Sequence, residues 1–184
     1  MDERRPCLLG LAGRMKSGRT SLAKSLEGHG FVSISFDDEI RKEVARGWGM
    51  SFKGWLEFEK ANPEVLRMII LAWGHTRRIL SGENYWVLKV MEQIQYHSHV
   101  VIDDVRYPNE VKAIEGYGGH VGWIEVSPEE QVERGANYDF LFDESETALD
   151  SFHWVPAFMI DSDISTKNEV VEFVEWWLQL GGYL

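Results

Sequence analysis

The sequence predicts an α/β fold in which helices cover a central parallel β-sheet. Short apolar runs alternate with longer amphipathic segments along the 184 residues, which is the pattern of repeated strand–helix–strand units. A glycine-rich turn separates the first apolar run from the first amphipathic segment, as expected where a strand leads directly into a helix. The length suits one compact domain with room for a small insertion.

Five apolar runs are predicted as strands. The first is apolar throughout, which fits a strand buried on both faces. The second alternates apolar and polar residues with the period of a strand, and the third ends in Asp103 and Asp104. In chain order the predicted strands are residues 7–12, 31–35, 99–104, 119–126 and 158–161.

Helical spacing of apolar residues predicts the segments between these strands. The first helix ends at Gly28 and Gly30, because glycine commonly terminates helices. Asp37 and the carboxylates after it favour a helix N-terminus, and Pro63 fits the first turn of another helix. In chain order the predicted helices are residues 21–27, a segment opening at 37, then 63–73, 87–94, 108–115 and 168–180.

The composition excludes several classes of protein. The chain has 19 Lys and Arg against 30 Asp and Glu, a net charge of −11, which argues against a non-specific binder of nucleic acid polymers or anionic membranes. The single Cys7 excludes an intrachain disulfide and a multi-cysteine zinc site, and suits a reducing compartment. The charged N-terminal segment lacks a signal-peptide pattern, and no apolar run approaches the length of a membrane span. We expect a cytoplasmic protein.

The turn after the first predicted strand reads Gly13-Arg-Met-Lys-Ser-Gly-Arg-Thr20. It has the glycines and the hydroxyl of the phosphate-loop pattern, but Arg19 stands where that pattern has lysine. Glycines let backbone N–H groups turn toward a phosphate, and the following helix N-terminus adds a favourable dipole. Lys16 is a second candidate for the missing ammonium group. An ordinary strand-to-helix turn is the alternative interpretation.

Asp103 and Asp104 are predicted at the same edge of the sheet as this turn, since ligands bind outside the carboxyl ends of parallel strands. A carboxylate at this edge can orient Mg²⁺ directly or through water. We prefer Asp104, although the spacing does not choose between the two. A turn or helix cap is the alternative interpretation.

Together these motifs resemble the phage-type deoxynucleoside monophosphate kinase family, whose members transfer the γ-phosphoryl group of ATP to a nucleoside monophosphate. The most specific match is Val101-Ile-Asp-Asp-Val-Arg-Tyr-Pro-Asn-Glu110. Ser35-Phe-Asp-Asp-Glu-Ile-Arg41 is similar to a second family motif, and Gly74-His-Thr-Arg-Arg78 partly matches a third. Glu144-Ser-Glu146 resembles a later landmark. The departures include the replacement of the loop lysine by arginine.

The resemblance implies a three-layer α/β/α P-loop NTPase fold with a central parallel sheet, forming one domain over residues 1–184. Within it, approximately residues 40–98 would form a helical acceptor-binding insertion, and approximately 127–145 a lid. ATP and Mg²⁺ are the implied cofactors, and a nucleoside monophosphate is the implied partner. A homodimer is compatible with the sequence. A phage origin would place the protein in the cytoplasm of a bacterial host.

The resemblance also implies roles for individual residues. Lys16, Arg19 and Asp104 would be catalytic, with Thr20 and Asp104 on Mg²⁺. The residues that would cradle the ATP phosphates are Gly13, Lys16, Ser17, Gly18, Arg19, Thr20 and Ser21. Those that would hold the acceptor are Asp38, Arg41, Arg77, Arg78 and Arg106, and Arg134 would be the lid cation.

We therefore predict an ATP-dependent deoxynucleoside monophosphate kinase, with two alternatives open. Arg19 and a lid with a single cation also suit a catalytically weak or inactive nucleotide-binding regulatory protein on the same fold. A P-loop kinase for another phosphorylated small molecule, such as phosphomevalonate, is the second alternative. For the acceptor residues, an N-capping Asp38 with a solvated Arg41 is the structural alternative, and Arg106 could instead pair with Asp103 or Glu110.

Overall fold

The computed structural model describes residues 5–184. Residues 1–4, which belong to the charged N-terminal segment discussed above, lie outside the described residues. The described chain forms one sheet of five strands, all parallel, in the order β2-β3-β1-β4-β5. The strands are β1 (Cys7–Gly13), β2 (Val32–Ile34), β3 (His99–Val105), β4 (His120–Glu125) and β5 (Met159–Asp161). All five predicted strands are present, and the predicted parallel sheet is confirmed.

The predicted helices are also present, and several short ones were missed. The helices are α1 (Arg19–Glu27), α2 (Phe36–Gly47), α3 (Phe52–Ala61), α4 (Pro63–Ser81), α5 (Tyr85–Ile94), α6 (Pro108–Gly116), α7 (Pro128–Glu133), α8 (Glu144–Thr147) and α9 (Lys167–Gly181), with a 3₁₀ turn at Tyr138–Phe140. Separate helices at α3, α7 and α8 were not predicted, because short helices carry little periodicity. Ser35, predicted as the end of a strand, is instead the N-cap of α2. No helix in residues 5–184 is long and apolar enough to cross a membrane.

Helices cover both faces of the sheet. Side chains alternate along a strand, so Leu9 and Leu11 of β1 share one face while Gly10 lies on the other. Leu9 and Leu11 belong to a buried cluster with side chains of α1 and α9. On the opposite face, a Cβ at Gly10 would lie 2.8 Å from Cδ1 of Ile114 in α6, so glycine lets α6 pack close to β1. The result is the predicted three-layer α/β/α arrangement.

The described residues group into two compact units. Residues 5–34 and 94–184 form the unit that contains the sheet, and Ser35–Gln93 form the second. The second unit overlaps the predicted insertion at 40–98. Its helices enclose fully buried Trp55 and Trp86, and the indole N–H of Trp86 donates to the Gly74 carbonyl at 3.1 Å. An apolar core of its own therefore holds this helical unit together.

The sheet brings the two predicted motifs to one edge. Strands β1 and β3 are neighbours and parallel, so the turn after β1 and the aspartates near the end of β3 lie at adjacent carboxyl ends. The pairing shifts register between Gly10↔Ile102 and Ala12↔Val105. The resulting bulge contains Asp103 and Asp104, and bulges commonly redirect side chains beside functional sites.

Candidate active site

Residues 13–20, here called the glycine loop, connect β1 to α1 in a conformation that needs glycine at two points. Gly13 has φ +146° and Gly18 has φ +99°, values that other residues rarely adopt. A Cβ at Gly13 would also lie 2.3 Å from the carbonyl oxygen of Ile124. Lys16 is the one non-glycine residue with positive φ in residues 5–184, at +68°. The loop is therefore tightly specified by its backbone.

The N-terminus of α1 is open to an anion. Gly18 is its N-cap and supplies no side-chain cap. The first intrahelical bond runs from the N–H of Leu22 to the Gly18 carbonyl at 3.0 Å, so the helix offers no partner for the N–H groups of Arg19, Thr20 and Ser21. These N–H groups and the helix dipole favour negative charge at this point.

A cavity of about 390 Å³ opens beside this helix N-terminus. Leu22 of α1 and Val170 and Val171 of α9 supply its apolar lining, while Lys16, Arg134 and Lys167 supply positive charge. The remaining lining residues are small or polar: Ser17, Gly18, Ser21, Ser162, Ser165 and Thr166. A mostly preformed concave site with a few polar groups is typical of small-molecule binding.

Arg19 lies inside the protein rather than on the exposed side of the loop. Its residue is only 6% exposed, and its guanidinium donates long hydrogen bonds of 3.4 Å to the carbonyls of Val105 and Arg14. Burial, and to a lesser extent the neighbouring Arg106, lower the pKa of Arg19 to about 10, and nearby carboxylates only partly oppose this. Lys16, in contrast, is exposed and lines the cavity. Lys16 is therefore the loop cation accessible to a ligand.

Arg134, the predicted lid cation, is bound to the protein at several points. Its Nε donates to Glu130 at 2.7 Å, and Nη2 donates to the carbonyl of Ser162 at 2.6 Å. Nη1 lies 3.1 Å from both the Lys16 carbonyl and the Ser162 hydroxyl. Arg134 thus ties the segment after α7 to the glycine loop and to the residue after β5.

Two side chains that were not predicted as site residues also contact the glycine loop. The carboxylate of Glu146 accepts the N–H of Met15 at 2.5 Å, and the side-chain amide of Gln131 donates to the Met15 carbonyl at 2.8 Å. Glu146 was noticed only as a landmark of the resemblance, and Gln131 gives no signal in the sequence. Both contacts join residues more than a hundred positions apart, which local patterns do not encode.

The guanidinium of Arg106 contacts Glu146, a partner that was not considered from the sequence. Its Nη1 donates to Glu146 at 3.0 Å and to the Ser145 hydroxyl at 3.3 Å. Glu110 instead accepts the backbone N–H groups of Arg106 and Tyr107 at 2.7 and 3.0 Å. The role of Arg106 toward an acceptor stays a prediction, while its pairing with Glu146 is a structural fact.

The predicted metal ligands have the chemistry that Mg²⁺ prefers. Thr20 is exposed on the first turn of α1, and Asp104 is 7% exposed while Asp103 is half-exposed. Hydroxyl and carboxylate oxygens are suitable ligands. Within residues 5–184, no group of three or more His, Cys, Asp or Glu side chains could hold a metal unaided.

In the second unit, Asp38 and Arg41, which are predicted to hold the acceptor, lie together. The Nη1 of Arg41 donates to Asp38 at 3.1 Å, and its Nε contacts both carboxylate oxygens of Glu59 at 2.9 and 3.2 Å. Burial opposes the charge on Arg41, yet Asp37, Glu59 and Asp38 raise its pKa. Burial raises the pKa of Asp38. Arg41 is therefore held in place rather than solvated, and Ser35, not Asp38, is the N-cap.

Arg77 belongs to a different cluster of the same unit. The carboxylate of Glu43 accepts the Nε of Arg77, the indole N–H of Trp73 at 3.1 Å and the hydroxyl of Tyr85 at 2.6 Å. Burial disfavours the charge on Glu43, but these hydrogen bonds outweigh it and lower its pKa. Positions 41 and 43 of α2 are about 200° apart on a helix. Arg77, which belongs to α4, therefore contacts a different flank of α2 from the one that carries Arg41. Arg78, the next residue of α4, is half-buried.

Comparisons with known proteins find likeness in fold alone. Neither a family model nor a curated protein sequence matches this chain. Among solved structures, the shikimate kinase of Acinetobacter baumannii, in complex with shikimate, matches with a TM-score of 0.60 and 13% identity over 98% of this chain and 96% of that one. The shikimate kinase of Bacteroides thetaiotaomicron matches with a TM-score of 0.54 and 15% identity over 95% and 97% of the two chains.

A third structure, the shikimate kinase of Aquifex aeolicus, matches with a TM-score of 0.50 and 17% identity over 95% and 97% of the two chains. In each case the likeness extends over nearly the full length of both proteins. At 13–17% identity this likeness is one of fold. The chain has the α/β fold of the P-loop kinases.

Proposed function

We propose that the protein is an ATP-dependent kinase that phosphorylates a deoxynucleoside monophosphate. The observation that carries this proposal is the open N-terminus of α1, which follows the glycine loop and borders the cavity of about 390 Å³. Helix N–H groups without intrahelical partners suit phosphate oxygens. The adjoining cavity, with apolar side chains on two helices, suits the nucleoside part of ATP.

In the proposed reaction, a phosphate oxygen of the acceptor attacks the γ-phosphorus of ATP. A new P–O bond forms to the acceptor, the bond to the β-phosphate oxygen breaks, and ADP leaves. Such a transfer depends on positioning and on neutralising negative charge rather than on a protein nucleophile. The exposed Lys16 and the N-terminus of α1 supply that charge. Mg²⁺, held by Thr20 and Asp104, would neutralise the phosphate oxygens further.

The acceptor part of the proposal rests on Asp38 and Arg41. Glu59 and Asp38 occupy Nε and Nη1 of Arg41, which orients the guanidinium. In the proposal, Nη2 binds the acceptor phosphate. An oriented guanidinium is well suited to a phosphate dianion. The choice of a deoxynucleoside monophosphate rests on the resemblance of residues 35–41 and 101–110 to the phage-type kinases.

A nucleotide-binding regulatory protein is the second candidate. It is favoured by the burial of Arg19 and by the four protein contacts of Arg134, because the guanidinium groups of both cations are already engaged by protein atoms. Such a protein would keep the nucleotide cavity and lose the transfer step.

The deciding experiment measures ADP release from ATP and Mg²⁺ with each ribo- and deoxyribonucleoside monophosphate, and with shikimate and phosphomevalonate. Release that depends on deoxynucleoside monophosphates supports the proposal. ADP release with shikimate or phosphomevalonate would mean that the protein is a kinase with a different substrate. If the protein binds ADP but releases no ADP from ATP with any acceptor, the result would favour the regulatory protein.

Arg41→Ala tests the acceptor site, with Arg46→Ala as the matched control, since Arg46 lies exposed on the last turn of the same helix. Loss of a charge-assisted phosphate contact should raise the KM for the monophosphate about tenfold or more. The KM for ATP should stay within about twofold. An equal rise in both KM values would assign Arg41 a structural role.

A further inference from the structure

The backbone of Met15, in the middle of the glycine loop, is held on both sides by side chains from the C-terminal half of the chain. Its N–H donates to Glu146 at 2.5 Å, and its carbonyl accepts from Gln131 at 2.8 Å. The next carbonyl, that of Lys16, accepts from Arg134 at 3.1 Å. Consecutive peptide groups of the loop are thus bound by residues outside it.

These contacts lie in the interior. Gln131 is 0% exposed and Glu146 is 5% exposed. Arg106 lies 3.0 Å from the second carboxylate oxygen of Glu146 and compensates its charge. Because water cannot replace the lost partners, breaking such buried hydrogen bonds is more costly than breaking exposed ones.

The contacts bear directly on the unusual conformation of Lys16. Its φ of +68° lies in the left-handed region, which is unfavourable for lysine. The peptide carbonyls of Met15 and Lys16 flank the Lys16 Cα, so their orientations set its φ and ψ. Gln131 fixes the first carbonyl and Arg134 the second. External hydrogen bonds thus hold a conformation that the lysine would not adopt alone.

We propose that Gln131 and Glu146 are positioning residues that preform the glycine loop for phosphate binding. The proposal rests on the function proposed above, in that the loop binds nucleotide phosphates. Neither residue needs to touch the nucleotide, because both act through the backbone on which Lys16 and the open N–H groups are carried. The segment predicted as a lid, residues 127–145, contributes Gln131 to this support, and Glu146 follows it directly.

The first test is amide hydrogen exchange of the ligand-free protein carrying Gln131→Leu, a change of similar size that removes the donor. The amides of Met15 and Ser17, which are bonded to Glu146 and to the Arg14 carbonyl, should exchange about tenfold faster or more. The matched control is Gln93→Leu, because Gln93 also donates from its side chain to a backbone carbonyl, that of Lys89, at 3.1 Å. It should leave both amides unchanged.

The second test measures the affinities of the same variants for ADP and for inorganic pyrophosphate. Gln131→Leu and Glu146→Leu should each weaken both by about tenfold. Glu146→Gln should lose less, because the amide oxygen still accepts the N–H of Met15. Thermal unfolding establishes that each variant is folded.

The outcomes are distinct. Unchanged exchange at Met15 and Ser17 in the Gln131→Leu variant overturns the proposal, and so does faster exchange with affinities within about twofold of the wild type. If the wild-type protein binds neither ADP nor pyrophosphate, the proposed function fails. The exchange data then still decide whether Gln131 holds the loop.

Discussion

Replacing the buried Arg19 by methionine should make the ligand-free protein more stable. The pKa of Arg19 falls from its usual value to about 10, mainly through burial, which corresponds to about 3 kcal/mol against folding with the charged side chain. Methionine has similar length and no charge, so the substitution removes this cost. It also removes two hydrogen bonds of 3.4 Å, each worth about 0.5–1 kcal/mol at that length. The free energy of unfolding should therefore rise by about 1–2 kcal/mol.

Urea denaturation at neutral pH without nucleotide measures this change. The exposed Arg46→Met is the control and should change the stability by less than about 0.5 kcal/mol. Because the folded-state pKa of Arg19 lies below its usual value, the cost of burying the charge is fully present below about pH 10 and declines as the pH rises above that. The difference between wild type and Arg19→Met should accordingly be constant from pH 7 to about pH 9 and shrink by about pH 11.

A loss of 1 kcal/mol or more in Arg19→Met would refute this reasoning. It would mean that the attraction of Arg19 to Glu146, Asp104 and Asp103 exceeds the cost of its burial, and that the arginine is a structural cation. A gain in stability together with weaker ADP binding or slower transfer would show that the buried charge serves the site at the expense of stability.

Three further substitutions test other parts of the structure. Val171→Trp should fill the cavity beside α1 and weaken ADP binding about tenfold or more. Pyrophosphate affinity, measured by calorimetry, should stay within about twofold of the wild type. Equal losses of both affinities would mean that the cavity does not bind the nucleoside. Gly13→Ala should destabilise the protein by about 2 kcal/mol or more in urea denaturation, because its Cβ would meet the Ile124 carbonyl oxygen at 2.3 Å; wild-type stability would contradict the tight turn. Glu43→Gln should lower the melting temperature at pH 7, and less so near pH 3. The lowered pKa of Glu43 means that its stabilisation is present above about pH 4.5 and disappears as the pH falls; a pH-independent difference would exclude this charge effect.

The sequence was sufficient for the sheet and for placing the glycine loop and the Asp103–Asp104 pair at one edge of it. Apolar runs and helical spacing are local properties, and they predicted the strands and the longer helices, although α1 begins at Arg19, two residues earlier than predicted. The glycine loop and the Asp103–Asp104 pair were expected at one edge, and the pairing of β1 with β3 confirms it. The short α7 and α8 were not predicted, because their few residues carry no readable period.

What the individual side chains do was decided by the tertiary structure. The charge at position 19 is visible in the sequence, but only the packing of the loop against the end of β3 turns Arg19 inward. Similarly, the sequence alone is compatible with a solvated Arg41, whereas in the structure Glu59 of α3 contacts its guanidinium. The support of Met15 by Gln131 and Glu146 joins residues 116 and 131 positions apart. The sequence by itself determined the order of the elements and the edge of the sheet where the glycine loop and the two aspartates meet, since local conformation follows local patterns. Which donor meets which acceptor depended on packing between distant segments.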